Sequence, residues 1–222
     1  MSRIIYTAKV VDTNDPESLG RVKVKLLGFG EDLEMPWLRI VQNTASVDHG
    51  SFILPEVDDE VVLIKGSGDS TENMIILGVL YNGTNKPAYP AGDGENNLKL
   101  IRTREGNELI FDDTSGAAKI TIQSPESGDT MIELDQANTK ITIFAQAEIM
   151  IEAPDTSVTV SSNDVIVEAA NNITVEAATN ISLEAGAEYS ITGGASVAIA
   201  GPMVEISGDS MVTISGGMVQ IN

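Results

Sequence analysis

The sequence contains no cysteine, one histidine and few aromatic residues, and each scarcity excludes a class of function. Without cysteine there can be no disulfide framework, no thiolate metal site and no cysteine nucleophile. His49 has no second histidine and no obvious nucleophile beside it, so it is not predicted to be a catalytic base. Aromatic residues make up 4% of the chain, which is little for the core of a compact enzyme. We therefore expect no enzyme, no cofactor and no metal site.

Long hydrophobic runs are also absent. No stretch approaches the roughly 18 apolar residues that a membrane-spanning helix needs. The N-terminus lacks the basic start and the apolar run of a signal peptide. We therefore expect a protein that is made in the cytoplasm without a signal peptide, and that only a larger machine could carry to another membrane.

Basic residues are missing from the second part of the chain. The net charge is −20, and all 13 lysines and arginines lie at or before Lys140. Residues 141–222 hold ten acidic residues and no basic one. Because phosphate backbones and anionic lipids are bound by clustered cations, neither is expected to bind here. The acidity favours a solvated, repetitive surface; a basic partner is the other interpretation.

The first part of the chain contains short alternating strands separated by turns. In residues 21–26, Val22, Val24 and Leu26 alternate with three cations, so the apolar side chains share one face. Further predicted strands are Ser51–Leu54, Glu60–Ile64 and Met74–Leu80. Five short strands with this turn spacing predict an all-β fold that starts with a small barrel of the oligonucleotide/oligosaccharide-binding (OB) type over residues 1–95.

From Lys140 onward the sequence repeats with a period near eight. Two apolar residues separated by one residue recur at steps of seven to nine residues, and the alternation puts both on one face of a strand. We predict that a shared core is formed by Ile141, Ile143, Ile149, Ile151, Val158, Val160, Val165, Val167, Ile173, Val175, Ile181, Leu183, Ile191, Val197, Ile199, Val204, Ile206, Val212, Ile214, Val219 and Ile221. Corners between the strands carry pairs such as Gly193-Gly194, which are expected to take a left-handed bend.

Eight residues supply one strand and one corner, too few for a single chain to close a coil around its own core. Three chains around a threefold axis solve this problem, with the apolar pairs on the axis. We therefore predict an intertwined trimeric β-helix, a triangular β-prism, over residues 141–222, with a linker and the first strands of the needle in 96–140. Coils of 24 residues within one chain are the alternative, but no position differs systematically among every three octads.

Several segments, taken in order, resemble the OB domain and the start of the β-helix in phage baseplate spikes and in VgrG, the type VI secretion spike. These segments are Gly20–Val24, Pro36–Ile40, Gly50–Val62, Ile75–Gly83 and Gly106–Asp113. The resemblance implies a homotrimeric, membrane-puncturing spike of a contractile injection machine, assembled into a virion tail, a phage tail-like particle or a secretion apparatus. It also implies a separate hub protein, a PAAR-type tip protein at the C-terminal end and transient contact with the target cell envelope.

Within the barrel, Arg21, Lys23 and Lys25 form a small basic face that we interpret as a possible hub contact. One alternative function is a tailspike that binds or cleaves polysaccharide, which needs a groove of aromatic residues and paired carboxylates. Tyr189 is the only aromatic residue after Phe144, which argues against that alternative. Nucleic-acid binding by the barrel ranks last, because residues 1–95 hold 15 acidic and 8 basic residues.

Overall fold

A computed structural model of the chain describes residues 5–28, 33–66, 73–89, 94–125 and 129–221. The chain divides into two compact units, Met1–Pro154 and Asp155–Asn222. The described residues form no α-helix, which confirms the predicted all-β class. No helix that could cross a membrane is found in this part of the chain.

Twelve strands lie in the described part of the first unit. The first seven are β1 (Ile5–Asp12), β2 (Lys23–Leu26), β3 (Arg39–Ile40), β4 (Ala45–Ser46), β5 (His49–Gly50), β6 (Glu60–Lys65) and β7 (Met74–Leu80). The other five are β8 (Leu98–Arg102), β9 (Glu108–Asp112), β10 (Lys119–Gln123), β11 (Thr130–Asp135) and β12 (Lys140–Ala145). Strands β4 and β5 pair only with each other, as a short hairpin.

The first sheet has the order β2-β1-β6-β7-β3 and is antiparallel except for the parallel pair of β3 and β7. Its register shifts between Val10 and Asp12 on β1 and between Val62 and Leu63 on β6. Such irregularities bend a strand and increase its twist. The sheet curls into a half-barrel that is consistent with an OB domain.

The concave side of this half-barrel holds the core of the first unit. Val22, Val24 and Leu26 are buried, which confirms that they share the inner face of their strand. The whole cluster consists of Ala8, Val10, Val22, Val24, Leu26, Met35, Leu38, Val61, Leu63, Met74 and Ile76. Small branched side chains therefore fill the core, as the scarcity of aromatic residues suggests.

The predicted strand Ser51–Leu54 is wrong. This segment pairs with no strand, and the side chains of Phe52 and Ile53 are exposed. The Gln42 side chain holds it instead, donating a hydrogen bond to the Ile53 carbonyl oxygen (3.0 Å) and accepting one from the Ile53 amide (3.4 Å). The apolar run predicts a strand, but the sequence pattern does not show whether a partner strand is available.

The second sheet of the first unit is a meander in the order β12-β11-β10-β9-β8. Every neighbouring pair is antiparallel and adjacent in sequence. Strands β8 and β9 lie within residues 96–140, where the linker and the first strands of the needle are predicted. Since β8 and β12 lie at the ends of the order, their outer backbone edges have no partner strand in the described part of this chain.

The second unit contains no strand among its described residues, although its bends recur regularly. Bends lie at residues 162–163, 170–171, 178–179, 186–187 and 194–195, separated by extended segments. The eight-residue spacing of the corners therefore agrees with the sequence prediction. The extended segments between the corners do not pair with one another within this single chain.

The reason given for glycine at the corners is wrong for Gly193. Neither Gly193 nor Gly194 has a positive φ. A Cβ atom added to Gly193 would instead collide with the Ser196 carbonyl oxygen, while one added to Gly194 would meet nothing within 4 Å. Glycine is required at residue 193 because the backbone folds closely over it, and not because the bend is left-handed.

Candidate functional site

Of the three predicted hub-contact cations, Arg21 is held by acidic groups of its own loop. Its Nη2 lies 2.7 Å from Oδ1 of Asp15 and 3.1 Å from Oε1 of Glu17, and its Nε donates to Oδ2 of Asp15 at 3.0 Å. The Arg21 hydrogen bond, assisted by backbone amides, holds the pKa of the Asp15 carboxyl well below its usual range. Arg21 thus stabilises the loop before β2, whatever else it contacts.

Lys23 and Lys25 follow on β2, beside the segment that contains Glu34 and Trp37. The Nζ atom of Lys23 lies 3.8 Å from Oε2 of Glu34 and 5.9 Å from the centre of the Trp37 ring. Lys25 forms a backbone bridge with Glu34. The basic face is therefore partly neutralised by nearby acids, and its contact with a hub stays a prediction.

A buried carboxylate joins the linker to the meander. The side chain of Glu108, at the start of β9, is 3% exposed. Its oxygens accept hydrogen bonds from Tyr89 Oη at 3.0 and 3.1 Å, Arg102 Nη1 at 2.8 Å and Gln123 Nε2 at 2.6 Å. We call Glu108, Tyr89, Arg102 and Gln123 the linker clamp. It ties the end of the linker to strands β8, β9 and β10.

Burial alone would raise the pKa of Glu108, because it penalises the charged form. The hydrogen bonds from Gln123 and Tyr89 and the charge of Arg102 outweigh it, and the pKa lies below its ordinary value. Burial and the neighbouring carboxylate raise the pKa of the Tyr89 hydroxyl. The charged form of Glu108 therefore holds the linker clamp together.

Sequence reasoning missed the linker clamp. Glu108 lies in the alternating run Glu108–Phe111, where an acidic residue reads as solvent-facing, and its partners come from three separate segments. A second bridge, between Arg104 Nη2 and Glu56 Oε1 at 2.8 Å, is solvent-exposed. The Arg104–Glu56 bridge connects the segment before β6 to the β8–β9 turn, whereas the linker clamp connects the linker to the meander.

One face of the meander carries two largely apolar rows, with Lys99 at the β8 edge of the second row. Directly opposed residues on the five strands form one row of Ile101, Leu109, Ile122, Ile132 and Ile143. The next row consists of Lys99, Phe111, Ile120, Leu134 and Ile141. Most of these apolar side chains are exposed in the single chain. Such a contiguous apolar patch is typical of a surface that another chain covers.

The octad pairs of the second unit are exposed as well. Between Val158 and Ile221, the predicted core residues have exposed fractions from 48% to 86%. The predicted core residues Ile141 and Ile143 lie on β12, while Ile149 and Ile151 follow it, and all four are exposed. In the single chain, every predicted core residue is therefore exposed and packs into no core.

Comparison with known proteins identifies the half-barrel. Residues 6–81 match the family described as the type VI secretion system/phage-baseplate injector OB domain. The type VI secretion system spike protein VgrG3 of Vibrio cholerae serotype O1 is 31% identical over 127 residues, 54% of this chain and 12% of its own length. The spike protein VgrG4b of Pseudomonas aeruginosa is 27% identical over 149 residues, 60% of this chain and 18% of its own. The spike protein VgrG1a of the same organism is 28% identical over 130 residues, 54% of this chain and 20% of its own.

The chain therefore spans a fifth or less of the length of these relatives. Their names describe spikes and give no support to the polysaccharide-cleaving alternative. The predicted OB-type barrel agrees with the family match. The resemblance to injection-machine spikes agrees with the names of the relatives. Residues 6–81 thus match the injector OB domain of type VI secretion systems and phage baseplates, and the chain is similar to type VI secretion system spike proteins.

Proposed function

We propose that three copies of this chain form the structural, membrane-puncturing spike of a contractile injection machine. The observation that carries the proposal is the regular series of exposed apolar pairs in a unit that forms no strands of its own. A valine, leucine or isoleucine side chain gains about 1.5–3 kcal/mol when it is fully buried. In a single chain these side chains stay exposed, so this free energy is not gained at any octad. Three chains packed around an axis would bury the side chains and gain it.

Backbone pairing supports the same assembly. The extended segments between the bends need partners for their N–H and C=O groups. In an intertwined prism, each segment pairs with segments of the neighbouring chains above and below it on the same face. The lateral edges of the sheets then disappear, which removes sites for uncontrolled association.

The apolar face of the meander continues the same interface. Its rows of side chains from Ile101 to Ile143 would turn toward the threefold axis, so that three meanders bury these rows against one another. In this arrangement residues 1–95 form the barrel, 96–140 the linker and the first needle strands, and 141–222 the β-helix. Eleven octads at about 4.8 Å each give a shaft roughly 50 Å long.

The role we propose is mechanical, without catalytic turnover. The barrels would bind a separate hub protein, with Arg21, Lys23 and Lys25 as possible contacts, and a PAAR-type protein would cap the C-terminal end. Assembly would occur in the bacterial cytoplasm, into a virion tail, a phage tail-like particle or a secretion apparatus. The VgrG names of the relatives support the spike role.

The test is the solution mass of the chain and of two matched variants. Light scattering should give about three times the 23.5 kDa of the chain, and the trimer should survive mild detergent denaturation. Val175→Asp puts a charge on the axis and should block assembly, because an unpaired buried charge is costly. Thr174→Asp, on the opposite side of the same strand, should leave the trimer intact. A monomeric parent, or a trimeric Val175→Asp variant, would refute the axial arrangement.

A further inference from the structure

A broad cleft lies between the half-barrel and the meander within the first unit. Its walls come from the segment 52–59, from residues 81–89 and 94–97 between β7 and β8, and from residues 98–107 of the meander. We call it the linker cleft. Its volume is about 1410 Å³, whereas sites for one small ligand hold about 300–1,000 Å³. The volume therefore favours a ligand of several linked units over a single small molecule.

Exposed aromatic rings line the linker cleft. Of the four Phe, four Tyr and one Trp in the chain, Phe52, Tyr81 and Tyr89 line it. Phe52 and Tyr81 are 75% and 73% exposed, while the buried core among the described residues contains no aromatic residue. Two large rings thus stay in water beside one cleft, in a chain that uses few rings elsewhere. Such rings offer flat apolar faces on which a ligand can stack.

Planar polar groups share the walls with these rings. An amide presents a donor and an acceptor in one plane, so it can bind two neighbouring hydroxyl groups. Asn85 Nδ2 donates a hydrogen bond to Oδ1 of Asp59 at 3.1 Å, and Arg104 Nη2 lies 2.8 Å from Oε1 of Glu56. These partners hold both groups in place. The amide and guanidinium groups on the walls are those of Asn85, Asn96, Asn97, Asn107 and Arg104.

The charges of the linker cleft balance. Its lining contains three acidic and three basic side chains, namely Glu56, Asp59, Glu105, Lys86, Arg102 and Arg104. Arg104 pairs with Glu56 and Arg102 pairs with Glu108, each at 2.8 Å. Polyanions are attracted by a positive field. A cleft without net charge, in a chain with a net charge of −20, therefore disfavours nucleic acids and acidic polymers, and a neutral ligand is expected.

We propose that the linker cleft binds a neutral oligosaccharide. One face of a pyranose ring consists of C–H groups and stacks on an aromatic ring, while the hydroxyl groups at its edge bind amide and guanidinium groups. Phe52 and Tyr81 supply the flat surfaces, and the asparagines and Arg104 supply the polar groups. A short chain of linked sugars also suits the volume of the cleft.

The linker cleft exists in the single chain, so this inference goes beyond the proposed trimer and does not rest on it. Along β8, Leu100 and Arg102 alternate with Ile101, so their side chains lie on the face opposite to the apolar rows. The cleft therefore lies mainly behind the face that three meanders would bury. Ile101 also lines the cleft, which makes a second copy of the chain the rival occupant that the experiment must exclude.

Isothermal titration calorimetry of the full-length chain tests the proposal with the neutral hexasaccharides cellohexaose, maltohexaose and chitohexaose. The parent should bind at least one of them and should not bind the acidic hexamer of galacturonic acid. Tyr81→Ala removes one stacking surface and should weaken binding about tenfold. Tyr81→Phe keeps the ring and should bind like the parent. Phe52→Ala repeats the test at the other exposed ring if circular dichroism shows that Tyr81→Ala does not fold.

The outcomes separate the linker cleft from the proposed trimer. A parent that binds no neutral hexasaccharide overturns the proposal and leaves a second copy as the occupant. Binding that both alanine variants leave unchanged would place the sugar elsewhere and overturn it too, as would tighter binding of the acidic hexamer. In light scattering, a monomeric parent that binds a sugar refutes the proposed function and supports the cleft. A trimer that binds none of the sugars refutes the cleft and leaves the proposed function intact.

Discussion

Replacing Glu108 by glutamine tests whether the linker clamp fastens the linker to the meander. The carboxylate accepts bonds from Arg102 and Tyr89 on one oxygen and from Gln123 and Tyr89 on the other. A carboxamide keeps one acceptor but turns an NH₂ group toward donors at the other position, and it removes the charge opposite Arg102. Hydrogen bonds to charged groups contribute about 1.5–3 kcal/mol each. We expect the clamp to weaken by about 2 kcal/mol.

Hydrogen exchange followed by mass spectrometry measures this loss locally. A weakening of about 2 kcal/mol corresponds to roughly thirtyfold faster exchange through local opening in peptides that cover residues 82–89 and 98–112. Glu56→Gln is the matched control, because it removes the same charge from the exposed ion pair with Arg104. Exposed pairs contribute about 0–1 kcal/mol, so exchange should rise less than about fivefold. Equal effects of the two substitutions would refute the clamp.

Three further predictions concern the folded state. Folding lowers the pKa of Glu108, so its contribution to stability is present above its ordinary pKa of 4.5 and is lost as the pH falls through the lower folded-state value. Acid titration followed by tryptophan fluorescence should therefore show a steeper loss of stability for the parent than for Glu108→Gln. Gly193→Ala should lower the thermal resistance of the proposed trimer, while Gly194→Ala should not, since an added Cβ atom collides only at residue 193. Melting in detergent compares the two variants. Leu63→Ala, at a fully buried position, should lower the free energy of unfolding of the half-barrel by about 2–5 kcal/mol in denaturant titration. Leu19→Ala, at an exposed position, should change this free energy by less than about 0.5 kcal/mol.

The sequence was informative where a pattern reflects a local rule. Alternation of Val22, Val24 and Leu26 predicts the buried face of β2, and the octad spacing predicts the position of the bends. Alternation failed at Ser51–Leu54, because a strand needs a partner and the segment has none. The role of Gly193 was misassigned, since a close backbone approach leaves no trace in composition.

The linker clamp shows a different limit of sequence reasoning. Glu108 belongs to an alternating strand, and nothing in its neighbours distinguishes a buried acid from a solvated one. Its burial depends on Tyr89, Arg102 and Gln123, which converge only after the linker and three strands are in place. Long-range convergence of polar groups therefore had to be read from the structure.

The recurrence of similar apolar pairs along residues 141–222 has a consequence for how the proposed needle would assemble. If one chain slides by eight residues against its neighbours, the apolar pairs between Val165 and Val197, which are spaced by eight residues, still meet other apolar pairs, so these octads alone hardly distinguish aligned from staggered chains. The meander does not repeat, so in the proposed trimer its rows from Ile101 to Ile143 would match only when three copies lie level. In a trimer of the proposed kind, the meander would therefore set the register of the three chains. If the octads paired before the meanders docked, the chains could be trapped in a staggered register, with unpaired octads at both ends.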